Sequence, residues 1–516
     1  MSDNNQSAIS FDGEDRSNQV RAGILATEPV AIRTFTPSQL VISHSAGAYH
    51  WTPEGRKLAD FTSGVLVANL GHNPTSWWNR VIKYLGLEKI KDAGQFTSSA
   101  PLTAYNAITE VEHDANERLI RNLRSAPGGE KLDQVLWSAS GSEAVQKALW
   151  AAMRQTKGRD MIIATRGGFH GKKGLAGAIT GSENDKERDD RVRFISFPME
   201  ECDDLESRKQ PIDLSKYKAE LESLWEELGE RICCVVTEPY LGGGGSYHPQ
   251  KEYLQLLDSF CVEHDLVFIL DEIQSNFGRT GPMYAFTHYG ISPDIVLLGK
   301  GLGNGVPVSA AVGRSDVFAS LGFGEGSDTW SANPLSSAAV LATLDEFASG
   351  NVIEQGERLA RIIEAGLIRL KETGVIAKVR GEGCVWGIEC AALGGTSSDD
   401  VAVACVEACY LGDDDGNAIH LLGALAGNVL RVSPPLTMDP DELQFYLDVM
   451  YNHILVSNGA DSRRLETIHH HTSRIKNNAI TAAIIKSTRI LKYDRKSNLS
   501  FIILKTCIIT EESGFK

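Results

Sequence analysis

The chain holds nine cysteines in 516 residues, yet no two are separated by the two residues of a CxxC motif. That absence argues against a zinc ribbon and against a disulfide framework, and it favours a reducing compartment, the cytoplasm. Long hydrophobic runs are missing as well: none approaches the ~18 residues of a membrane-spanning helix. The opening residues, MSDNNQSAISFDGEDRSNQ, have neither the apolar core of a signal peptide nor the arginine-rich pattern of a transit peptide. A soluble protein without a membrane partner is the expectation. Positive charge is scarce too, with 51 lysines and arginines against 67 acidic residues and a formal net charge of −16. Nucleic acid and anionic surfaces are therefore poor partners. The length accommodates about two domains with a large core.

What is present concentrates in residues 264–307. The run LVFIL (266–270) is short, apolar and rich in branched residues, as a strand buried on both faces of a parallel sheet would be. It ends in Asp271 and Glu272, and an acid at the end of a buried strand is expected to point into a cleft. A second such run, DIVLLG (294–299), delivers Lys300 at its carboxyl end, ahead of Gly301, Gly303 and Gly305. Ligands of open α/β sheets bind just outside those strand ends. A lysine held there among apolar groups loses solvation of its charged form, so its pKa falls and a free amine becomes available for Schiff-base chemistry. If the aldehyde is pyridoxal phosphate (PLP), Asp271 can pair with the ring nitrogen and sustain the electron sink. The plainer reading of Lys300 is a lysine that caps a strand.

Other segments fit around this pair. Residues 1 to about 38 read as a disordered lead and an extended arm. From Gly47 the chain alternates apolar and polar residues around a turn at Pro53 to Gly55, as a hairpin would. Residues 111–124 read as an amphipathic helix. The strand QVLWSAS (134–140) runs into a helix start at Ser140, Gly141 and Ser142, which could cap the helix or hold an anion at its positive end. MIIATRGGFHG places Phe169 and His170 on a loop where an aromatic could stack on a flat ring or simply pack. ICCVVTEPYLGGGG is another buried strand, ending at Glu238, and its four glycines read as a permissive turn. Arg431 interrupts an apolar strand, where burial is costly unless an anion meets it.

The run DEIQSNFGRTG (271–281), followed by a strand-end lysine 29 residues after Asp271, resembles the signature of class III aminotransferases. These are fold-type I PLP enzymes that include ornithine, acetylornithine, 4-aminobutyrate and diamine aminotransferases. The resemblance covers roughly residues 47–458. It implies an α/β fold whose large domain carries a mostly parallel, seven-stranded-type sheet, with a small α+β domain built from both chain ends. The boundaries expected are 1–75 for the arm and part of the small domain, 76–350 for the large PLP-binding domain and 351–458 for the C-terminal small domain. Residues 459–516 form a tail that does not match the family; from Arg463 it holds 11 basic residues against 4 acidic ones.

By the same resemblance Lys300 is the catalytic lysine, assisted by Asp271. Ser140, Gly141 and Ser142 hold the cofactor phosphate, Phe169 covers the ring, Ile273 packs behind it and Gln274 lies near its oxygen. His170 and Glu238 join the cofactor-binding set. Thr329, followed by Trp330, Asn333 and Pro334, matches an element whose threonine reaches the PLP phosphate of the neighbouring subunit, which implies a homodimer with shared active sites. Arg431 corresponds to the residue that binds the substrate carboxylate. Three positions depart from the pattern: Val65 stands where ornithine aminotransferases carry Tyr, Lys172 where many carboxylate-handling members carry Arg, and Gly243 where a switch glutamate usually pairs with the substrate arginine. Arg forks onto a carboxylate and Lys does not.

The implied reaction is ping-pong transamination from an amino acid, ω-amino acid or diamine to an oxo-acid, with an ω-amine or diamine favoured by the three departures. Within the same fold an aminomutase, racemase or decarboxylase would share every cofactor residue. A dinucleotide-binding dehydrogenase would leave Lys300 unexplained, because GKGLGNG lacks the full GxGxxG spacing. A PLP-fold scaffold without activity is the non-enzyme alternative. No metal is expected.

Overall fold

Apolar runs with no polar alternation need cover on both faces, and the central sheet supplies the place for them. Every residue of the Ile232–Thr237, Val267–Asp271 and Ile295–Leu298 strands is buried. The computed structural model describes residues 9–32, 36–186 and 188–455. In it, seven strands lie in the order Gln134–Ser138, Ser309–Gly313, Ile295–Leu298, Val267–Asp271, Ile232–Thr237, Met161–Thr165 and Val192–Ile195. Six run in one direction, and Ser309–Gly313 is antiparallel to both its neighbours.

The two-residue strand period sorts the core into two layers. Ile269, Ile295 and Leu297 face the Gly141–Gln155 helix through Ala144, Val145 and Ala148. Phe268, Leu270, Val296 and Leu298 pack on the opposite side, with the Glu110–Arg124 and Lys251–His264 helices. The expectation of a mostly parallel seven-stranded sheet holds.

Two smaller sheets complete the fold. The hairpin Tyr49–Trp51 and Lys57–Asp60 pairs on one side with His44–Ala46 and on the other, in parallel, with Ala418–His420. A second sheet runs Ile376–Glu382, Val385–Cys390, Val429–Val432 and Leu422–Ala426. The helices Val352–Leu370, Ser398–Leu411 and Pro440–Leu455 close one core with both. Segments from both chain ends thus meet in this layer. Among the described residues no helix is long and apolar enough to cross a membrane.

The N-terminal expectation needs correction: Asp15–Thr27 is a helix, where a disordered lead was expected. Polar contacts dock it, so it carries no apolar stripe to read. The Arg21 guanidinium donates to Glu14 at 2.7 Å and to the Tyr410 hydroxyl at 2.9 Å, and Ser17 donates from its backbone and hydroxyl to Glu54. The expected tail, 459–516, lies outside the described residues.

One buried cation joins the sheets. Arg279 is fully buried and donates to the carbonyls of Cys384 (2.9 Å) and Pro434 (2.7 Å), to Ser63 Oγ (3.1 Å) and to Asn69 Oδ1 (2.7 Å). It belongs to the quoted signature run, but nothing in that run shows what it reaches. Replacing it strands four acceptors. Arg279→Met should destabilise the chain by roughly 3 kcal/mol or more, seen as a lower urea midpoint; an unchanged midpoint would mean that the four contacts carry no net weight.

Candidate active site

Register decides which side chains meet. Asp271 pairs with Leu297 across adjacent parallel strands, so Lys300 leaves the next strand at the same edge of the sheet. Lys300 has a left-handed backbone, φ 46°, at the start of a single 3-10 turn through Leu302. A non-glycine residue holds that conformation only when its surroundings impose it. Asn276 helps by donating to the Gly299 carbonyl at 3.2 Å.

Burial pulls the Lys300 amine below its ordinary pKa, and the Arg431 charge adds to the effect. Asp271 and Glu238 oppose it with negative charge. The balance keeps the amine less basic than a solvated lysine.

Asp271 is fixed on both oxygens: Oδ1 accepts from the Ile273 N–H at 3.1 Å and Oδ2 from His170 Nδ1 at 2.7 Å. Burial pulls the His170 imidazole down, but the bond to Asp271 prevails and raises it above its ordinary pKa. Its Nε2 is buried without a partner among the described residues. Glu238 lies alongside, with Oε2 accepting from the Phe169 N–H at 2.8 Å and Oε1 from the Gly242 N–H at 3.1 Å. Burial, with Asp271 nearby, pushes its carboxyl up to about 7.

Glu272 departs from the expectation. Strand alternation turns it away from the cleft, where its carboxylate accepts from the Ala285 and Phe286 N–H groups, each at 2.8 Å. It anchors the Ala285–Tyr289 helix.

At the start of the Gly141–Gln155 helix, Ser140 caps the Glu143 N–H while Glu143 reaches back to the Ser140 N–H. This capping box leaves the first-turn N–H groups of Gly141 and Ser142 without an acceptor inside the helix. The space is tight. A Cβ on Gly141 would come within 2.9 Å of Ile273 Cδ1, and one on Gly171 within 2.4 Å of Ser142 Oγ. Gln274 Oε1 accepts from the Tyr240 hydroxyl at 2.7 Å.

Phe169 is partly exposed, and with Lys172, Thr180, Arg188 and Asp189 it lines a cavity of about 510 Å³ beside this group. Val65 sits in a left-handed turn, Ser63–Leu66, with φ 66°. Ser63 Oγ donates to the Ser433 carbonyl at 2.7 Å, and Leu66 packs on Tyr240. Arg431 is buried on the Val429–Val432 strand and donates to the Gly242 carbonyl, while its Nε has no partner among the described residues. Thr329 is on an exposed loop, next to Asp328, which accepts from Lys147 of the Gly141–Gln155 helix at 2.8 Å.

The glycine run is more than a permissive turn. A Cβ on Gly243 would stand 2.8 Å from Phe169 Cβ, and one on Gly242 would stand 1.9 Å from Gln274 Oε1. Reading along the chain also missed Tyr240, which stacks on His248 with ring centroids 4.2 Å apart. Its place in TEPYLGGGG, three residues after a strand end, was the available signal.

A profile of "Aminotransferase class-III" proteins matches residues 32–454. The chain belongs to this family. It is 30% identical over 419 residues to the 2-aminoadipate transaminase of Pseudomonas putida, covering 80% of this chain and 94% of that protein. The Emericella nidulans ornithine aminotransferase is 28% identical over 438 residues, covering 84% and 90%. Among solved structures, an S-selective transaminase from Bacillus megaterium superposes with a TM-score of 0.71 at 21% identity, covering 86% of this chain and 98% of that one.

Class-III aminotransferases use PLP, and this chain is a PLP-dependent transaminase. Its residues fit the cofactor: a doubly anchored carboxylate, a lysine of lowered basicity and two free first-turn N–H groups converge on one cleft.

Because the Lys300 amine is held down, cofactor uptake by the apoenzyme should rise with pH through a midpoint below 10.5, the ordinary lysine value. Asp271 raises that pKa, so Asp271→Asn should move the midpoint lower still. Absorbance of the loaded form reports both, and an upward shift in the variant would contradict the arrangement.

Proposed function

We propose that this transaminase takes an ω-amino compound or a diamine as donor and an oxo-acid as acceptor, whose α-carboxylate docks on Arg431. The observation that carries this reading is Arg431 itself. It is a guanidinium buried beside the Lys300 cleft, with no ion pair to a carboxylate among the described residues and one nitrogen unsatisfied. A buried cation of that kind is costly unless an anion completes it. Gly243 leaves no room for a glutamate against Phe169, so the chain offers no competing acid at that position. Val65 brings no hydroxyl to the mouth and Lys172 is a point charge on an exposed loop, so the distal end of the donor is held loosely.

PLP, when bound, draws electrons from the substrate carbon and carries the amino group between the two half-reactions. Lys300 Nζ, less basic than a solvated lysine, removes and returns the proton at the substrate carbon. Asp271, oriented by His170, would hold the proton on the pyridine nitrogen. Ser140, Gly141 and Ser142 would hold the phosphate at the helix start. Phe169 and Ile273 would flank the ring, and Gln274 and Glu238 would border it.

Arg431→Ala separates the two halves of the reaction. Losing a charged hydrogen-bonded contact costs about 1.5–3 kcal/mol, so the oxo-acid half-reaction should fall roughly 10- to 100-fold while the diamine half-reaction changes little. Equal losses in both halves, or ornithine preferred over every ω-amine tested, would overturn the reading.

The homodimer belongs to the same proposal. Thr329 is exposed and makes no hydrogen bond to the cleft residues among the described residues, and Trp330 (63%), Ile108 (90%) and Phe96 (85%) are strongly exposed apolar groups of the kind a partner covers. If Thr329 completes the neighbour's phosphate site, an equal mixture of Lys300→Ala and Thr329→Ala chains forms hybrids with one intact site. Activity at limiting cofactor should then recover to about one quarter of the parent's by random pairing; no recovery in a verified hybrid would place Thr329 in its own site. Free, buried thiols at all eight cysteines of the described residues support a reducing cytoplasm.

A further inference from the structure

Away from the cleft, four side chains rich in metal-binding chemistry gather at one end of the Tyr49–Trp51, Lys57–Asp60 and Ala418–His420 strands. His50 is buried on the first strand, and Asp60 ends the second. His420 ends the third and stands opposite Asp60 in register. His72 arrives from the loop that Gly47 pins by a backbone bridge. The ligand-capable atoms of His50, Asp60 and His72 all lie within 4.8 Å of one another.

We propose that His50, Asp60 and His72 form a site for zinc or a similar borderline divalent ion, separate from the PLP site. Two imidazoles and one carboxylate suit such ions, whereas calcium and magnesium prefer oxygen alone. Asp60 is oriented for it: Oδ1 accepts from the Thr62 N–H at 2.8 Å and the Thr62 hydroxyl at 2.6 Å, leaving Oδ2 for the histidines. His50 Nε2 lies 3.5 Å from Asp60 Oδ2. That separation is long for a hydrogen bond, and it matches the roughly 3.3 Å between neighbouring ligands on a tetrahedral zinc with bonds of about 2.0–2.1 Å. The other His50 nitrogen, Nδ1, is 2.7 Å from Ser45 Oγ. Ligating histidines commonly engage their second nitrogen in this way, which fixes the ring.

His72 Nε2 sits closer, 2.7 Å from Asp60 Oδ2. A small swing of its partly exposed ring would open the shell.

A second observation points to the same place. His420 is half-buried, its ring meets His50 edge-on with centroids 5.6 Å apart, and its Nδ1, itself shielded from solvent, has no partner among the described residues. An unpartnered buried nitrogen is uncommon. The ion would tie the first hairpin, the loop at His72 and a strand from the C-terminal half. Asp60 also leads directly into the Ser63–Leu66 turn at the mouth of the active site.

The test is cobalt titration of the chelator-treated, PLP-loaded full chain. One tightly bound equivalent should give visible d–d bands without thiolate charge transfer, and zinc should displace it and raise the melting temperature. His50→Gln and His72→Gln should lose that equivalent. Ser45→Ala, which leaves all ligands in place, should weaken binding by about 10- to 100-fold. The run His469, His470 and His471 is present in every variant and sets the background. Cobalt uptake identical in parent and both histidine variants would overturn the proposal and leave Asp60 as a simple hydrogen-bond partner of His72. Binding that Ser45→Ala does not weaken would remove the claim that this serine positions His50.

Discussion

The pairing of Val267–Asp271 with Ile295–Leu298 is the constraint on which the site depends. Asp271 stands opposite Leu297, three residues before Lys300. A slip of one residue would turn Asp271 to the opposite face and take the carboxylate away from the amine. The register is strongly specified, because both strands are buried on both faces and their alternate side chains belong to different core layers. Once it is set, the chemistry follows from a balance of opposing terms. Desolvation lowers the Lys300 pKa, and Asp271 and Glu238 limit the drop. The core that stabilises the fold is therefore also what makes the amine less basic.

Three buried arginines show how this fold accommodates positive charge in its interior. Arg279 satisfies four acceptors from separate segments and acts as a clamp. Arg380 meets Glu389 at 2.8 Å, donates to the Gly245 carbonyl and lies 4.0 Å above the Tyr247 ring. Arg431 has only the Gly242 carbonyl as an acceptor among the described residues. Each of the three keeps one buried nitrogen without a partner among the described residues, so what distinguishes them is the rest of the guanidinium: four acceptors for Arg279, a carboxylate and two carbonyls for Arg380, and a single carbonyl for Arg431, which leaves room for the proposed substrate anion. Burial alone does not separate these roles; the inventory of acceptors does.

Much of the fold was legible in the sequence because its strands are short unbroken apolar runs that end in charged residues, a pattern that one face of a helix cannot mimic for long. Asp271, Lys300 and the helix start at Gly141 were visible on that basis. Glu272 was misread because the acid pair was treated as a unit, although neighbouring residues on a strand face opposite ways. The Asp15–Thr27 helix was missed because hydrogen bonds to Glu54 and Tyr410, distant in sequence, hold it in place. The glycines at 242 and 243 looked permissive for the same reason: the side chains that crowd them, Gln274 and Phe169, come from loops that follow other strands. Partners distant along the chain leave no local periodicity to read.

The placement of Arg431 has its own structural cause, which lies outside the cleft. Its strand pairs with Val385–Cys390, where Gly387 stands opposite Arg431, and that strand forms a hairpin with Ile376–Glu382. At the hairpin's end Glu382 meets Arg208 at 3.0 Å, His248 at 3.3 Å and His288 at 2.9 Å, and the Tyr289 hydroxyl donates to it at 3.3 Å. Burial opposes the charge on Glu382, but this ring of donors holds its carboxyl well below the usual range. The same burial pushes His248 down to about 4, so near neutrality its imidazole meets Glu382 as a neutral donor and Arg208 carries the opposing charge. His248 in turn stacks on Tyr240, whose hydroxyl reaches Gln274 in the cleft. One carboxylate therefore locks the hairpin to the body that bears Lys300, and the sheet carries that alignment two strands further, to the guanidinium. Arg431 can be left short of acceptors without wandering because its backbone is fixed by contacts that do not involve its own charge.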